Sequence, residues 1–235
     1  MSKLFIMGAS GKLMRHIALA LVDLHQLILQ CNKGCEELAR FLLETCGRSE
    51  GKGVSLVKHD FIVEGVESLG DKIGNLTNAL DAVILGLPVF NQTGFQNLSE
   101  DTVRRVIYLN VVVPLTLLKV LSSFMRGRDS LILLLTDLTP IRGSTIYEGL
   151  TPSLPTIVSS AAVHALIRES RNYIPDNIKV IGIALDWVRV PSKRMPESGF
   201  RNAVDLETVT AFVRKIIAER PQELSGKIVE LSNRF

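Results

Sequence analysis

The chain has 235 residues, of which 46% are hydrophobic and 22% are charged, and its formal net charge is +3. This length fits one large α/β domain, and the composition provides for a substantial core. The small net charge, without a run of lysine or arginine, argues against a nucleic-acid partner. The longest apolar stretches, such as LILLL and DAVILGL, are shorter than a membrane span.

The first residues run directly into a glycine turn, without the long apolar region of a secretion signal. Cys31, Cys35 and Cys46 are odd in number and contain no Cys-x-x-Cys pair. We therefore expect reduced cysteines in an intracellular, cytoplasmic protein. Two neighbouring thiols alone make a poor metal site, and the histidines show no ligand spacing, so no metal site is predicted.

Short apolar segments alternate with longer amphipathic segments along the chain. The apolar segments predict strands at 3–7, 26–31, 54–59, 81–86, 130–136, 178–185 and 227–231. The amphipathic segments predict helices at 11–23, 34–46, 62–75, 99–124, 157–173 and 205–219. Most strands are apolar on both faces, as in a parallel sheet that helices cover. The alternation predicts one Rossmann-like α/β domain over 1–235, with a doubly wound, seven-stranded parallel sheet and helices on both faces.

The segment MGASGKLM follows the first predicted strand and opens the first predicted helix. Gly8 and Gly11 allow the backbone to turn tightly and approach a pyrophosphate. The helix that begins near Lys12 offers free amides and the positive end of its dipole. Met14 stands where a third glycine is usual. Strand–glycine–helix junctions also occur without a ligand, so this turn alone is weak evidence. Its place in the first β-α unit of a seven-strand pattern makes nucleotide binding and a structural role about equally supported.

Several segments together resemble the short-chain dehydrogenase/reductase family, and the resemblance extends over the whole chain. The glycine turn, the third strand that ends at Asp60 and the helix that carries Asn110 are similar to the family's corresponding segments. NIKVIGIALDWVRVP and LSGKIVEL resemble its sixth and last strands. The chain departs from the family at Met14, at 85–88 in place of Asn-Asn-Ala-Gly, and at 185–186 in place of Pro-Gly.

The resemblance implies a site for a nicotinamide nucleotide. The residues it places there are Gly8, Ser10, Gly11, Lys12, Leu13, Asn32, Lys33, Asp60, Phe61, Gly86 and Asn110. No carboxylate follows the second strand before Glu36, whereas Lys12 and Lys33 are placed to meet a 2′-phosphate, so NADP(H) is favoured over NAD(H). The alternatives are that both lysines are solvated surface charges, that Asp60 caps a helix, and that no nucleotide binds.

The family's reaction uses a tyrosine that exchanges a proton with the substrate and a lysine four residues later that assists it. Alignment by this helix and the next strand places Thr156 and Ser160 at those positions. A threonine hydroxyl is too weak an acid to replace a phenol with a pKa of about 10. The catalytic residues are therefore unknown. Other candidate proton donors, each with an ordinary structural explanation, are Thr136, Asp137, Tyr147, His164 and Asp186.

Two functions follow from the resemblance. The first is a degenerate family member that lacks hydride transfer and acts as a partner or a nucleotide-binding subunit. The second is an NADP-dependent oxidoreductase of the carbonyl reductase or alcohol dehydrogenase type with a non-standard proton donor. The family assembles through helices that correspond to 99–124 and 157–173, and both are rich in apolar residues. We expect a homo-oligomer (a dimer or tetramer), or a hetero-oligomer with an active homologue.

Overall fold

A computed structural model describes residues 1–47, 53–86, 89, 91–127, 129–143, 152–190 and 203–233. Seven parallel strands form the main sheet in the order β3-β2-β1-β4-β5-β6-β9, and β7 pairs with β8 in a small second sheet. The strands are β1 Lys3–Ile6, β2 Gln26–Cys31, β3 Val54–Lys58, β4 Ala82–Leu85, β5 Ser130–Asp137, β6 Ile178–Leu185, β7 Val188–Arg189, β8 Val204–Asp205 and β9 Ile228–Leu231. The predicted fold class and its seven strands are confirmed.

Helices lie between the strands and cover both faces of the sheet. They are α1 Lys12–Leu21, α2 Cys35–Cys46, α3 Phe61–Glu64, α4 Glu67–Gly74, α5 Glu100–Ile107, α6 Val113–Ser122, α7 Thr139–Arg142, α8 Leu154–Glu169 and α9 Leu206–Glu219. One core layer joins the sheet to α1, α2 and α9, and the other joins it to α4, α6 and α8. Both layers are built from leucine, isoleucine and valine, which explains why the strands are apolar on both faces.

Two predicted helices differ from the observed ones. The predicted helix 62–75 is divided into α3 and α4 because Gly65 adopts φ 74°, a conformation that interrupts helical geometry. The predicted helix 157–173 begins earlier, at Leu154, with Pro155 in its first turn. It ends at Glu169 and continues as the short 3-10 helix Ser170–Asn172. Proline suits a first turn because that position needs no backbone donor.

Helix α5, a π-helical turn at Tyr108–Val112 and α6 form one continuous helix over 100–122. By length and composition alone this helix is apolar enough to cross a membrane. Core helices of soluble proteins pass the same test. Here Val113, Leu117 and Leu121 are buried in the core layer that joins α6 to the sheet. The helix therefore has the position of a core helix in this fold.

Cys31 and Cys35 form a disulfide across the turn from β2 to α2, with their Cα atoms 5.5 Å apart. The prediction of reduced cysteines is wrong for this pair. An odd cysteine count excludes full pairing but says nothing of two cysteines that a strand end and a helix start bring together. Cys46, at the other end of α2, is the remaining free cysteine.

Candidate functional site

A cavity of about 660 Å³ lies over the carboxyl ends of the central strands. Its volume is within the range of about 300–1,000 Å³ that is usual for small-molecule and cofactor sites. The strand order places β1 beside β4, so the chain leaves these neighbouring strands toward opposite halves of the sheet. Crevices at such switch points are where open α/β sheets bind their ligands.

Most residues predicted at a nucleotide site line this cavity. They are Gly8, Ser10, Gly11, Lys12, Leu13, Asn32, Lys33, Asp60, Phe61 and Gly86. Each follows the carboxyl end of β1, β2, β3 or β4, because parallel strands present these ends along one edge. Sequence analysis missed several other lining residues, notably Gln30, Arg105 and Trp187. An unexpected glutamine inside the apolar run LILQC was the one signal for Gln30.

The glycine turn is fixed to the neighbouring strand by Gln30. Gly8 has φ 68°, which favours glycine, and its amide donates to Gln30 Oε1 at 2.8 Å. The Ala9 amide donates to the Gln30 carbonyl, also at 2.8 Å. Gly11 closes the turn with a 2.9 Å bond from its amide to the Gly8 carbonyl. The turn therefore keeps its shape without a ligand and presents the start of α1 to the cavity.

Met14 occupies the place of the family's third glycine and lies against Gly86. A Cβ atom on Gly86 would come within 2.9 Å of the Met14 sulfur. Met14 is buried in the core and also lines the cavity. In the family, the third glycine on α1 lets the helix pack closely against the sheet. Here the Met14 side chain stands at that position, and it fits because Gly86, after β4, has no side chain.

The β1–β3 half of the cavity carries positive charge. Lys12 and Lys33 line it from the ends of β1 and β2, and Arg105 lines the cavity from α5. Asp60 is the acidic group on this side. Hydrogen bonds from the Ile62 amide and from the Asn32 side chain hold the pKa of Asp60 below its usual value. Asp60 therefore caps the four-residue α3 and at the same time faces the cavity.

The β5–β6 half of the cavity carries negative charge. Asp137 ends β5, and Asp186 and Trp187 follow β6, whose Leu185 pairs with Asp137. Burial, and to a lesser degree the Asp186 carboxylate, raise the pKa of Asp137. Asp137 also accepts the Thr139 amide at 2.6 Å, as a turn residue does. Thr136 beside it is buried, and its hydroxyl has no hydrogen-bond partner among the described residues.

The two positions that align with the family's tyrosine and lysine are not among the residues that line this cavity. Thr156 is fully buried, and its hydroxyl accepts the Asn91 amide at 3.1 Å and donates to the Asn91 carbonyl at 3.2 Å. Ser160, one turn later on α8, is also fully buried. Among the described residues that line the cavity there is no tyrosine. Tyr147 lies outside the described residues.

Asn110, predicted as a nucleotide contact, is not among the residues that line the cavity. Its side chain accepts the Val89 amide at 3.1 Å and donates to the Val89 carbonyl at 2.7 Å. A third bond, at 3.2 Å, runs to the Ser159 hydroxyl. Asn110 therefore fixes the segment that follows β4, and its contribution to the site is indirect.

Replacing Asn110 with alanine should lower the free energy of unfolding by about 1–3 kcal/mol, because the Val89 amide and carbonyl would lose their partners. Chemical denaturation of the purified protein measures this loss. Ser159→Ala is the matched control, since it removes the 3.2 Å bond to Asn110 and the 2.8 Å bond from Ser159 to the Thr156 carbonyl but leaves both bonds to Val89 intact. An equal loss in both variants would contradict the assignment of Asn110 to Val89.

His164, two turns after Thr156 on α8, predicts a pH dependence of stability. Burial, and then the Arg168 charge, lower the pKa of its imidazole below 6.5. Below pH 6.5 the unfolded chain therefore binds a proton that the folded chain does not. The free energy of unfolding should fall as the pH falls through 6.5. Denaturation curves from pH 8 to pH 5 for wild type and His164→Gln should show a shallower fall in the variant.

His25 also has a lowered pKa, caused first by burial, so the His164→Gln variant should keep part of the pH dependence. The double variant His25→Gln/His164→Gln should lose most of it in this pH window. A His164→Gln curve parallel to that of wild type would contradict the role given to His164.

No family model and no curated protein matches the chain, but many solved structures do. The alcohol dehydrogenase from the archaeon Thermococcus sibiricus, complexed with 5-hydroxy-NADP, is 20% identical, with a TM-score of 0.78 over 99% of this chain and 96% of that one. A short chain dehydrogenase from Burkholderia cenocepacia in complex with NADP is 15% identical, with a TM-score of 0.81 over 99% and 96%. L-sorbose reductase from Gluconobacter frateurii, complexed with NADPH and L-sorbose, is 17% identical, with a TM-score of 0.80 over 99% and 95%. The chain therefore has the fold of the short-chain dehydrogenases and reductases.

Proposed function

We propose that this chain is a divergent short-chain dehydrogenase/reductase that binds NADP(H) in the switch-point cavity and lacks the family's standard hydride transfer. It acts as a nucleotide-binding or partner subunit in the cytoplasm. The observation that carries the proposal is the contrast between two sets of positions. Ten predicted nucleotide residues line one cavity, whereas the hydroxyl at the tyrosine position is bonded to the Asn91 backbone.

The nucleotide part of the proposal is supported by the geometry of the β1–β3 half. The start of α1 faces the cavity, and the first amides of a helix have no acceptor within it, so they suit a pyrophosphate. Lys12 and Lys33 line the same half, Arg105 lines the cavity from α5, and these cations suit an additional phosphate. Three of the structurally similar proteins named above were crystallised with NADP, NADPH or 5-hydroxy-NADP.

The absence of standard chemistry is supported by acid strength. Reduction of a carbonyl leaves an alkoxide that needs a proton from a positioned acid. Threonine is a far weaker acid than a phenol, and Ser160 brings no positive charge to assist it. We therefore expect that replacing Thr156 or Ser160 leaves the rate of NADPH oxidation unchanged.

The second candidate function is an NADP-dependent oxidoreductase in which Asp137 donates the proton. The observation in its favour is that Asp137 lines the β5–β6 half and has a raised pKa, caused chiefly by burial. A carboxyl group with a raised pKa holds its proton at higher pH and is a better general acid. Asp137→Asn removes the acid, so it should abolish turnover. It keeps an acceptor for the Thr139 amide, so it should leave NADPH affinity unchanged.

The partner part of the proposal is supported by apolar side chains that the monomer leaves exposed. Val112 and Leu115 on the 100–122 helix are 41% and 52% exposed, and Leu154 and Val158 on α8 are 51% and 50% exposed. The two helices pack against each other. Such a surface suits a second copy of this chain, or an active homologue, as partner.

Leu115→Arg should shift the molar mass measured by light scattering to that of a monomer.

The test of the proposed function is a titration of the purified protein with NADPH and NADH, followed by the fluorescence of Trp187. Trp187 is the single tryptophan of the chain and lines the cavity. The expected result is saturable binding of NADPH, weaker binding of NADH, and no oxidation of NADPH with a panel of aldehydes and ketones. Oxidation of NADPH that Asp137→Asn abolishes would establish the second candidate. Failure of both nucleotides to bind would overturn both candidates.

A further inference from the structure

We propose that the Cys31–Cys35 disulfide is a thiol–disulfide switch that controls nucleotide affinity, and this inference rests on the proposed function. Cys31 is the last residue of β2, and Cys35 is the first residue of α2. The disulfide therefore closes a short turn, 32–34, at the edge of the cavity. No other part of the described chain carries a disulfide.

The closed turn carries two side chains of the positively charged half. Asn32 and Lys33 both line the cavity, and the Asn32 side chain hydrogen-bonds Asp60. Gly34 has φ 76°, and a Cβ atom there would come 3.5 Å from the Ser10 Cβ, so the turn touches the glycine turn. The disulfide thus braces the place where the turns after β1, β2 and β3 meet.

The two ends of the turn are held to different degrees. Cys31 pairs with Lys58 in the sheet, and its carbonyl accepts the His59 amide at 2.9 Å. Cys35 lies at the start of α2, and its sulfur lies 3.7 Å from the Asn32 carbonyl. When the disulfide is broken, Cys31 stays in its strand, and the other end of the turn, at Cys35, loses its cross-link to Cys31.

The exposure of the two cysteines determines how a reductant attacks. Cys31 has no exposed surface, whereas Cys35 is partly exposed. A thiolate of a dithiol attacks the Cys35 sulfur, the Cys31–Cys35 bond breaks, and Cys31 leaves and takes up a proton. The second thiol of the dithiol then displaces Cys35 from the mixed disulfide. The protein gains two electrons and two protons, and the dithiol becomes a disulfide.

Oxidation holds Asn32 and Lys33 in position before the nucleotide arrives, whereas the reduced turn must be ordered during binding. Ordering two side chains on binding predicts roughly tenfold weaker NADPH affinity for the reduced protein. The glycine turn keeps its own bonds to Gln30 in either state, so binding is weakened and not abolished.

The experiment compares NADPH titrations of the protein after oxidation and after treatment with dithiothreitol. Maleimide labelling in denaturant, followed by mass spectrometry, counts the thiols, and we expect one in the oxidised protein, Cys46, and three after reduction, including the buried Cys31. Cys31→Ser/Cys35→Ser should bind NADPH with the affinity of the reduced protein whether or not dithiothreitol is present. Cys46→Ser, at the far end of α2, is the matched control and should keep the full redox difference.

The outcomes separate this switch from the function on which it rests. Equal NADPH affinity in the oxidised and reduced protein overturns the switch and leaves nucleotide binding intact. Three reactive thiols after oxidation also overturn the switch, whatever the affinity. Failure of NADPH to bind either form overturns the proposed function and the switch with it. Thermal unfolding of the serine variants shows that an observed loss of affinity comes from a folded protein.

Discussion

Replacing Lys33 with glutamate should weaken NADPH binding by about a hundredfold, since a hydrogen bond to a charged group contributes about 1.5–3 kcal/mol and each 1.4 kcal/mol is a factor of ten. The change removes a cation that, in the proposed complex, would face the 2′-phosphate, and it places a carboxylate there. NADH lacks this phosphate, and a carboxylate after the second strand suits its two ribose hydroxyls. NADH binding should therefore hold or improve, so that the preference between the two nucleotides reverses.

The same fluorescence titration that tests nucleotide binding measures both affinities. Lys215→Glu is the matched control, because it changes the net charge equally at an exposed position of α9 outside the cavity lining. It should leave both affinities unchanged. A similar loss of NADPH binding in the two variants would mean that overall charge, and not a contact with Lys33, attracts the nucleotide.

The sequence predicted the strands closely because burial on both faces leaves little freedom of composition. β2 and β6 have the predicted bounds, and β5 extends one residue further, to Asp137. That last residue is polar, so the apolar pattern ended before the hydrogen-bonded ladder did. The break between α3 and α4 was missed because a glycine inside an amphipathic pattern does not reveal its φ angle.

The nucleotide half of the candidate site was predictable for a topological reason. Residues directly after parallel strands share one edge of the sheet, so Gly8, Lys33 and Asp60 were placed together by their positions in the chain. The positions of Arg105 and Asn110 could not be predicted in this way, because neither residue directly follows a strand. Both lie on the 100–122 helix, and only its packing decides that Arg105 lines the cavity and Asn110 contacts Val89.

Local sequence also predicted the wrong redox state for Cys31 and Cys35. Their separation of four residues spans the end of a strand, a left-handed glycine and the start of a helix. A helix alone would place such residues one turn apart, but here the chain reverses direction between them. The pairing follows from that turn, which cysteine counting does not describe.

Gln30 should be the most sensitive residue of the glycine turn. It is 3% exposed, its Oε1 accepts the Gly8 amide at 2.8 Å, and its Nε2 donates to the His59 carbonyl at 2.8 Å. Gln30→Leu keeps the approximate volume and leaves both backbone groups without these partners. We expect the free energy of unfolding to fall by about 2–5 kcal/mol, since each unsatisfied buried group costs about 1–3 kcal/mol.

The loss should extend to the nucleotide, because Gln30 joins the turn after β1 to the end of β3, and both turns line the cavity. Denaturation and NADPH titration of the same preparation measure the two effects, and affinity should fall by roughly tenfold as the turn loses its prior order. Gln26→Leu makes the same change at the exposed first residue of β2 and should alter neither. If Gln30→Leu lowered stability but not NADPH affinity, the glycine turn would keep its shape without Gln30, and the nucleotide would have to be held by the positively charged side chains alone.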